Sequence, residues 1–315
     1  MRIGLIDVDS HRFPNLPLMK LSAWHKKQGD HVEWYEPLFH VMGEPFDRVY
    51  VSKVFSFSDD FRYHINAKEV IKRGSGYAIR IENGKEIFDG SLDEPLPDEI
   101  EHIYPDYSLY PELTRETAFG FLSRGCPRKC PFCHVASKEG GRSYKVADLS
   151  EFWSEQKNIV ICDPNILACP DHLGLLRQLE ESKATVEINQ GIDVRMVTDE
   201  NLEILKRIRM KKVHIAYDNP ADREMIEPKI RKFVEATGLN RHKGLICYIL
   251  VNFGSTIEED IRRIQFCREL NISPYPMIYD KEHCDPVYRK MQRWCCNNYV
   301  FWKVKTFEEY NGGFK

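Results

Sequence analysis

Apolar runs alternate with amphipathic segments along the last two thirds of the chain, and this alternation constrains the fold more than any other feature. Five runs each end in polar residues: NIVICDPN, TVEINQGIDVR, KVHIAYDN, GLICYILVNFG and ISPYPMIYD. The segments between them have helical spacing: CPDHLGLLRQLEES, TDENLEILKRIRM, ADREMIEPKIRKFVEATG and STIEEDIRRIQFCREL. With TAFGFLSRG ahead of them, they predict six strand–helix units in a parallel sheet that curves into a partial (βα)6 barrel of the TIM type. Chemistry in such folds lies at the carboxyl ends of the strands.

The first hundred residues show a second, similar alternation. RIGLIDVD, HVEWYEPL, FDRVYVSKVF and EVIKRGSGYA are predicted strands. A helix is predicted after the first strand, with Asn15 as its N-cap and Gly29 at its end. This pattern predicts a Rossmann- or flavodoxin-like open parallel sheet of the α/β class ahead of the barrel. The Pro- and acid-rich stretch 89–111 is interpreted as a surface linker.

The predicted domain boundaries follow from these patterns. They are a front domain at 1–105, a linker at 106–118, a barrel at 119–285, and a helix and tail at 286–315.

Composition excludes several classes of protein. The net charge is −3 and no long basic run occurs, so a large nucleic-acid groove is not indicated. No apolar run approaches the roughly 20 residues of a membrane span, and the N-terminus does not resemble a signal peptide. We expect a cytoplasmic chain, whose 10 cysteines favour metal or catalytic roles over disulfides.

Three cysteines, Cys126, Cys130 and Cys133, lie within eight residues. Zinc commonly takes four ligands, and the adjacent His134 is poorly placed to join Cys133 on one metal. CPFCH matches the haem-attachment pattern but leaves Cys126 unexplained, and three cysteines in eight residues amid Pro, Arg, Lys and Gly do not resemble a buried core segment. A 4Fe–4S cluster fits better, because three thiolates leave one iron open to a ligand. A non-catalytic iron–sulfur or zinc protein on a degenerate barrel stays open as an alternative.

The CxxxCxxC spacing after the first barrel strand, with the aromatic Phe132 before the last cysteine, resembles the radical S-adenosylmethionine (SAM) superfamily. The resemblance covers about residues 118–285. It implies a 4Fe–4S cluster on Cys126, Cys130 and Cys133, and SAM bound at the open iron. It also implies an electron donor such as flavodoxin or ferredoxin, and a 5′-deoxyadenosyl radical that takes hydrogen from a substrate. The sequence identifies neither that substrate nor the residues that act on it.

The same resemblance implies that polar residues at the strand ends bind SAM. Beyond Phe132, the candidates are Asp163, Asn165, Gln190, Asp193, Arg195, Asp218 and Gly254. Arg195 is the candidate for the SAM carboxylate, because a guanidinium matches a carboxylate with two hydrogen bonds. Each Asp and Asn is equally well explained as a helix N-cap.

The front sheet resembles the cobalamin-binding domain that precedes the barrel in one radical SAM subgroup. Asp9 and His11 match that subgroup's Asp-x-His spacing, and Gly74–Gly76 echo a later glycine element. Pro14 stands where the pattern has glycine, so we expect that His11 does not bind cobalt and that the domain carries no cobalamin. The alternative is a cobalamin-dependent radical SAM methyltransferase.

A second group of cysteines, Cys284, Cys295 and Cys296, lies near the C-terminus. An auxiliary cluster and packed thiols both fit this spacing, and the sequence leaves the two alternatives open.

Overall fold

The structure is a computed structural model that describes residues 1–10, 12–82 and 85–311. The first half contains β1 (Arg2–Asp7), α1 (Leu16–Lys27), β2 (His31–Trp34), α2 (Pro37–His40), β3 (Phe46–Ser52), β4 (Ala67–Arg73), α3 (Ser75–Ala78), β5 (Ile79–Glu82), β6 (Lys85–Phe88), α4 (Asp98–Glu101) and α5 (Pro111–Thr114). The second half contains β7 (Thr117–Gly120), β8 (Ser123–Arg124), α6 (Val135–Glu139), β9 (Tyr144–Lys145), β10 (Asn158–Ile161), α7 (His172–Ser182), β11 (Thr185–Ile188), α8 (Asp199–Leu205), β12 (Arg209–Met210), β13 (Val213–Ala216), α9 (Arg223–Thr237), β14 (Leu245–Val251), α10 (Ile257–Glu269), β15 (Ser273–Ile278), α11 (Pro286–Cys296) and α12 (Asn298–Lys303).

The elements form a mixed α/β fold with several parallel sheets, as the sequence predicts. One four-stranded sheet has the order β2-β1-β3-β4 and is parallel throughout. A second has the order β12-β11-β10-β7, and a third, parallel sheet has the order β13-β14-β15. Two antiparallel pairs, β5-β6 and β8-β9, complete the strand pairing of the described residues.

The chain divides into two compact units by contact. The first comprises Met1–Phe121, Gly125–Arg142 and Val146–Ile159. The second comprises Leu122–Arg124, Ser143–Lys145 and the chain from Val160 onward. The predicted domain boundaries stay a prediction.

In the first unit, β1 is buried on both faces, which is typical of a central strand in a parallel sheet. Ile3 and Leu5 belong to one core cluster, and Ile6 belongs to another. Helix α1 begins at the predicted cap, where the side chain of Asn15 accepts a hydrogen bond from the Leu18 amide.

Part of the stretch predicted to be a surface linker packs into this core, whereas residues 90–99 are mostly exposed. Ile100 in α4 is only 6% exposed and lies in the cluster that contains Leu5. The carboxylate of Asp106 accepts hydrogen bonds from Ser22 Oγ and Lys26 Nζ on α1, each at 2.6 Å. Periodicity failed here because isolated buried side chains between prolines carry no repeating pattern.

In the second unit, the predicted strands correspond to β10, β11, β13, β14 and β15. Helix α8 is shorter than its pattern predicts, since residues 209–210 form β12 and pair in parallel with β11. Helix α10 begins with a reciprocal capping box between Thr256 and Glu259. In the described part of the chain, no helix is both long and apolar enough to cross a membrane.

Candidate functional site

The three clustered cysteines lie on the loop between β8 and α6. Cys126 and Cys130 are half-buried, and Cys133 is exposed. The amide of Cys126 donates to the carbonyl of Gly140 at 3.2 Å, and the amide of Cys133 donates to the carbonyl of Cys130 at 3.0 Å. The first bond ties the two ends of the loop together, and the second closes a tight turn between two of the thiols.

Gly125 lets the chain enter this loop. Its φ is +79°, and an added Cβ would lie 2.0 Å from the carbonyl oxygen of Arg142. Its amide donates to Glu139 Oε2 at 3.2 Å. Any larger residue would collide with the backbone that leaves the loop, so the loop is closed at its base.

The cysteine loop fits a thiolate-bound metal group by its donors and its access. All 10 cysteines lie in the described residues and are thiols, not disulfides. Soft thiolates suit iron–sulfur clusters and zinc. Across residues 1–10, 12–82 and 85–311, however, no three His, Cys, Asp or Glu side chains are already assembled around a metal position. A metal group held by this loop would require the three thiols to converge.

The cysteines near the C-terminus suit a metal less well. Cys295 is buried and Cys296 is exposed. Burial raises the pKa of the Cys295 thiol, which opposes the thiolate form that a metal requires. Cys284 Sγ lies 3.4 Å from the carbonyl oxygen of Lys281.

Asp163, at the end of β10, is fully buried and holds the backbone that precedes the cysteine loop. Its carboxylate accepts hydrogen bonds from the amides of Leu122, at 2.8 Å, and Ser123, at 2.6 Å. It also accepts one from the hydroxyl of Ser123 at 2.6 Å. Burial raises the pKa of Asp163 to about 7, against the lowering effect of these hydrogen bonds. Both carboxylate oxygens are therefore engaged within the protein.

Four of the polar strand-end residues come together in the second unit. Asn165 Nδ2 donates to Asp193 Oδ2 at 3.2 Å, and Arg195 Nε donates to Asp193 Oδ1 at 2.7 Å. Asp218 accepts from the Leu250 amide at 3.1 Å. Burial raises the pKa of Asp218, whereas the charge of Arg195 lowers it and that of Asp193 raises it. Asp193 thus lies between an amide and a guanidinium in what we call the strand-end cluster (Asn165, Asp193, Arg195 and Asp218).

The remaining predicted residues lie outside this cluster. Gln190 is exposed after β11, and Gly254 is exposed after β14 with a φ of +69°. Phe132 is half-buried on the cysteine loop, in the first unit.

Sequence reasoning missed a buried ion pair on α10. Arg263 and Asp260 are both 0% exposed and are hydrogen bonded to each other. The guanidinium of Arg263 also donates to the carbonyls of Tyr217, Asp218 and Leu250 at 2.6, 2.7 and 2.9 Å. Helical periodicity could have predicted this burial, because both charged residues fall on the helix face that carries Ile264 and Cys267.

In the first unit, the residues compared with a cobalamin site have internal partners. The carboxylate of Asp9 accepts from the amides of Val54 and Phe55, both at 2.8 Å. Gly74 has a φ of +110°, and an added Cβ would lie 2.2 Å from the carbonyl oxygen of Lys53. His11 lies outside the described residues.

Neither a scan against protein-family models nor a search of the curated proteins finds a match to this chain.

Proposed function

We propose that this protein is a radical SAM enzyme. The observation that carries the proposal is the CxxxCxxC sequence on an accessible loop, with a glycine at its entrance that tolerates no side chain. Cys126, Cys130 and Cys133 would hold the 4Fe–4S cluster. When bound, the cluster would supply one electron to SAM, and cleavage of the S–C5′ bond would give methionine and a 5′-deoxyadenosyl radical. This radical would take a hydrogen atom from the substrate. A small donor protein such as flavodoxin or ferredoxin would supply the electron.

The proposed scaffold is a partial barrel of β7, β10, β11, β13, β14 and β15. Strands β13, β14 and β15 pair in parallel in sequence order. Ile192, just beyond β11, makes a parallel bridge to Ile215 on β13, and its amide donates to the carbonyl of His214 at 2.7 Å. This bridge continues the strand order from β11 into β13, which supports one curved sheet.

The strand-end cluster is the proposed SAM-binding region. Asp193 pairs with Arg195 Nε, and Arg195 Nη1 lies 3.8 Å from Asp222. The first of these contacts orients the guanidinium, which is the proposed ligand of the SAM carboxylate. Asp218 is the proposed ribose ligand, and Asn165 the proposed ligand of the amine. The hydrogen bonds of Asp163 favour a positioning role at the base of the cysteine loop.

We propose that the front unit is structural. Asp9, the carboxylate that would orient a ligating His11, instead binds two amides of the loop after β3. The close approach of Gly74 to Lys53 gives that glycine a packing role. Both observations support a front unit without cobalamin over the methyltransferase alternative.

Anaerobic reconstitution tests the proposal. Wild-type protein is expected to bind about four irons and, on reduction, to convert SAM to 5′-deoxyadenosine. Cys130→Ala should lose both the cluster absorbance and this product. Cys296→Ala is the matched control, because it removes an exposed thiol outside the loop and should retain both. An intact cluster in Cys130→Ala, or equal loss in both variants, would contradict the proposal.

A further inference from the structure

A row of four polar and aromatic side chains crosses the strands of the second unit. It consists of Glu187 on β11, His214 on β13, Tyr248 on β14 and Tyr275 on β15. The rings of His214 and Tyr248 are stacked, with centroids 5.0 Å apart and planes at 13°. Tyr248 and Tyr275 are cross-strand partners, and their rings meet edge to face at 5.5 Å.

This row lies on the sheet face opposite α10. Successive side chains on a strand point to opposite faces, so the neighbours of the row identify the other face. Ile215, Cys247 and Ile249 are at most 1% exposed, and α10 packs against β14 and β15. The row itself is partly open, since Tyr275 is 41% exposed.

The row presents hydrogen-bond acceptors and electron-rich rings. Nδ1 of His214 is buried and has no hydrogen-bond partner in the described structure. Burial lowers the pKa of His214. Glu187 forms an ion pair with Lys212, which lies two positions before His214 in the chain.

A cation already lies at this position. Lys212 Nζ is 3.5 Å from the carboxylate of Glu187. The Lys212 side chain is 59% exposed, so this ion pair is weak and a better cation can displace it. A flat cation with several N–H donors fits best, because it can bind a carboxylate with two hydrogen bonds and stack on tyrosine.

We propose that this row binds a guanidinium group, such as an arginine side chain, as the recognition element of the substrate. The guanidinium would pair with Glu187 and lie against the tyrosine rings. The assignment of this ligand as substrate rests on the proposed radical SAM function, whereas the binding itself does not.

Titration calorimetry with N-acetyl-arginine amide tests the site. Glu187→Gln should weaken binding about ten-fold or more, because it removes the charge from the bidentate partner. Tyr248→Leu should weaken binding about ten-fold, whereas Tyr248→Phe keeps the ring and should retain most of it. Glu203→Gln is the matched control, since it neutralises a glutamate whose side chain is 61% exposed, and it should bind as wild type does.

Two comparisons make the result decisive. The variant with Cys126→Ala, Cys130→Ala and Cys133→Ala should bind the arginine derivative as well as wild type. If SAM cleavage fails while binding of the arginine derivative is retained, only the enzyme assignment is refuted. The guanidinium site is overturned if the folded wild type shows no binding, if N-acetyl-lysine amide binds equally well, or if adenosine binds more tightly than the arginine derivative.

Discussion

Replacing Asp163 by Asn should change how the stability of the protein depends on pH. The carboxyl group is fully buried, and burial raises its pKa from 3.8 to about 7. At about 1.36 kcal/mol for each pH unit, this difference corresponds to about 4 kcal/mol. The folded state holds the proton more tightly than the unfolded state does, so the contribution of Asp163 to stability is fully present below pH 3.8 and is lost as the pH rises through 7.

The structure also sets the cost of the substitution itself. An asparagine keeps one oxygen that can accept from the Leu122 or the Ser123 amide, and it turns an NH2 group toward the other donors. One buried donor left unsatisfied costs about 1–3 kcal/mol. At about pH 5 the variant should therefore be less stable than wild type. Between about pH 5 and pH 8 wild type should lose about 3 kcal/mol relative to the variant, because only wild type must ionise a buried carboxyl.

Urea denaturation of both proteins at these two pH values measures the difference. Asp59→Asn is the matched control, since the side chain of Asp59 is 81% exposed and its removal should give no such pH dependence. If the free-energy difference between wild type and Asp163→Asn is the same at both pH values, the raised pKa and the reasoning from burial are refuted.

Two further substitutions test the packing around the site. Gly125→Ala should destabilise the protein by about 1–3 kcal/mol and increase proteolysis of the cysteine loop. Gly140→Ala should cost less, because it shares a positive φ of +96° but its Cβ meets nothing within 4 Å; equal costs in thermal unfolding would count against the collision. Arg263→Met should cost about 3–5 kcal/mol in urea denaturation, since it strands the buried Asp260 carboxylate. Arg231→Met, at a side chain 51% exposed, should cost under about 1 kcal/mol, and a similar loss in both variants would argue against a role for the buried pair.

Local signals in the sequence predicted local structure well. The cap at Asn15 was predictable because a capping side chain bonds to an amide only three residues away. The strands β10 to β15 that were predicted from apolar runs are confirmed, except that the two-residue β12 was read as part of a helix. Its pairing with β11 depends on residues more than twenty positions away, which periodicity does not report.

The sequence predicted which residues form the candidate site, but not which of them bond to each other. Clustering of Asn165, Asp193, Arg195 and Asp218 follows from the rule that parallel strands end at one edge. Which of them pair does not follow, because Arg195 could meet Asp193, Asp222 or a ligand, and side-chain rotamers decide. The roles proposed for these residues, and for the three cysteines, stay predictions until the cofactors are bound.

The packing of Ile100 and Asp106 against α1 bears on how the chain is made. All strands of the front sheet precede residue 89 in the chain, yet part of the core of this sheet consists of residues that follow residue 89. The hydroxyl of Tyr110 also donates to Asp7 at 2.6 Å, which joins the first strand to a residue synthesised about a hundred positions later. During translation the front sheet therefore cannot complete its core as its last strand emerges. It must wait until residues up to Tyr110 have left the ribosome, and a fragment that ends at the sheet would expose the apolar surface that Ile100 covers.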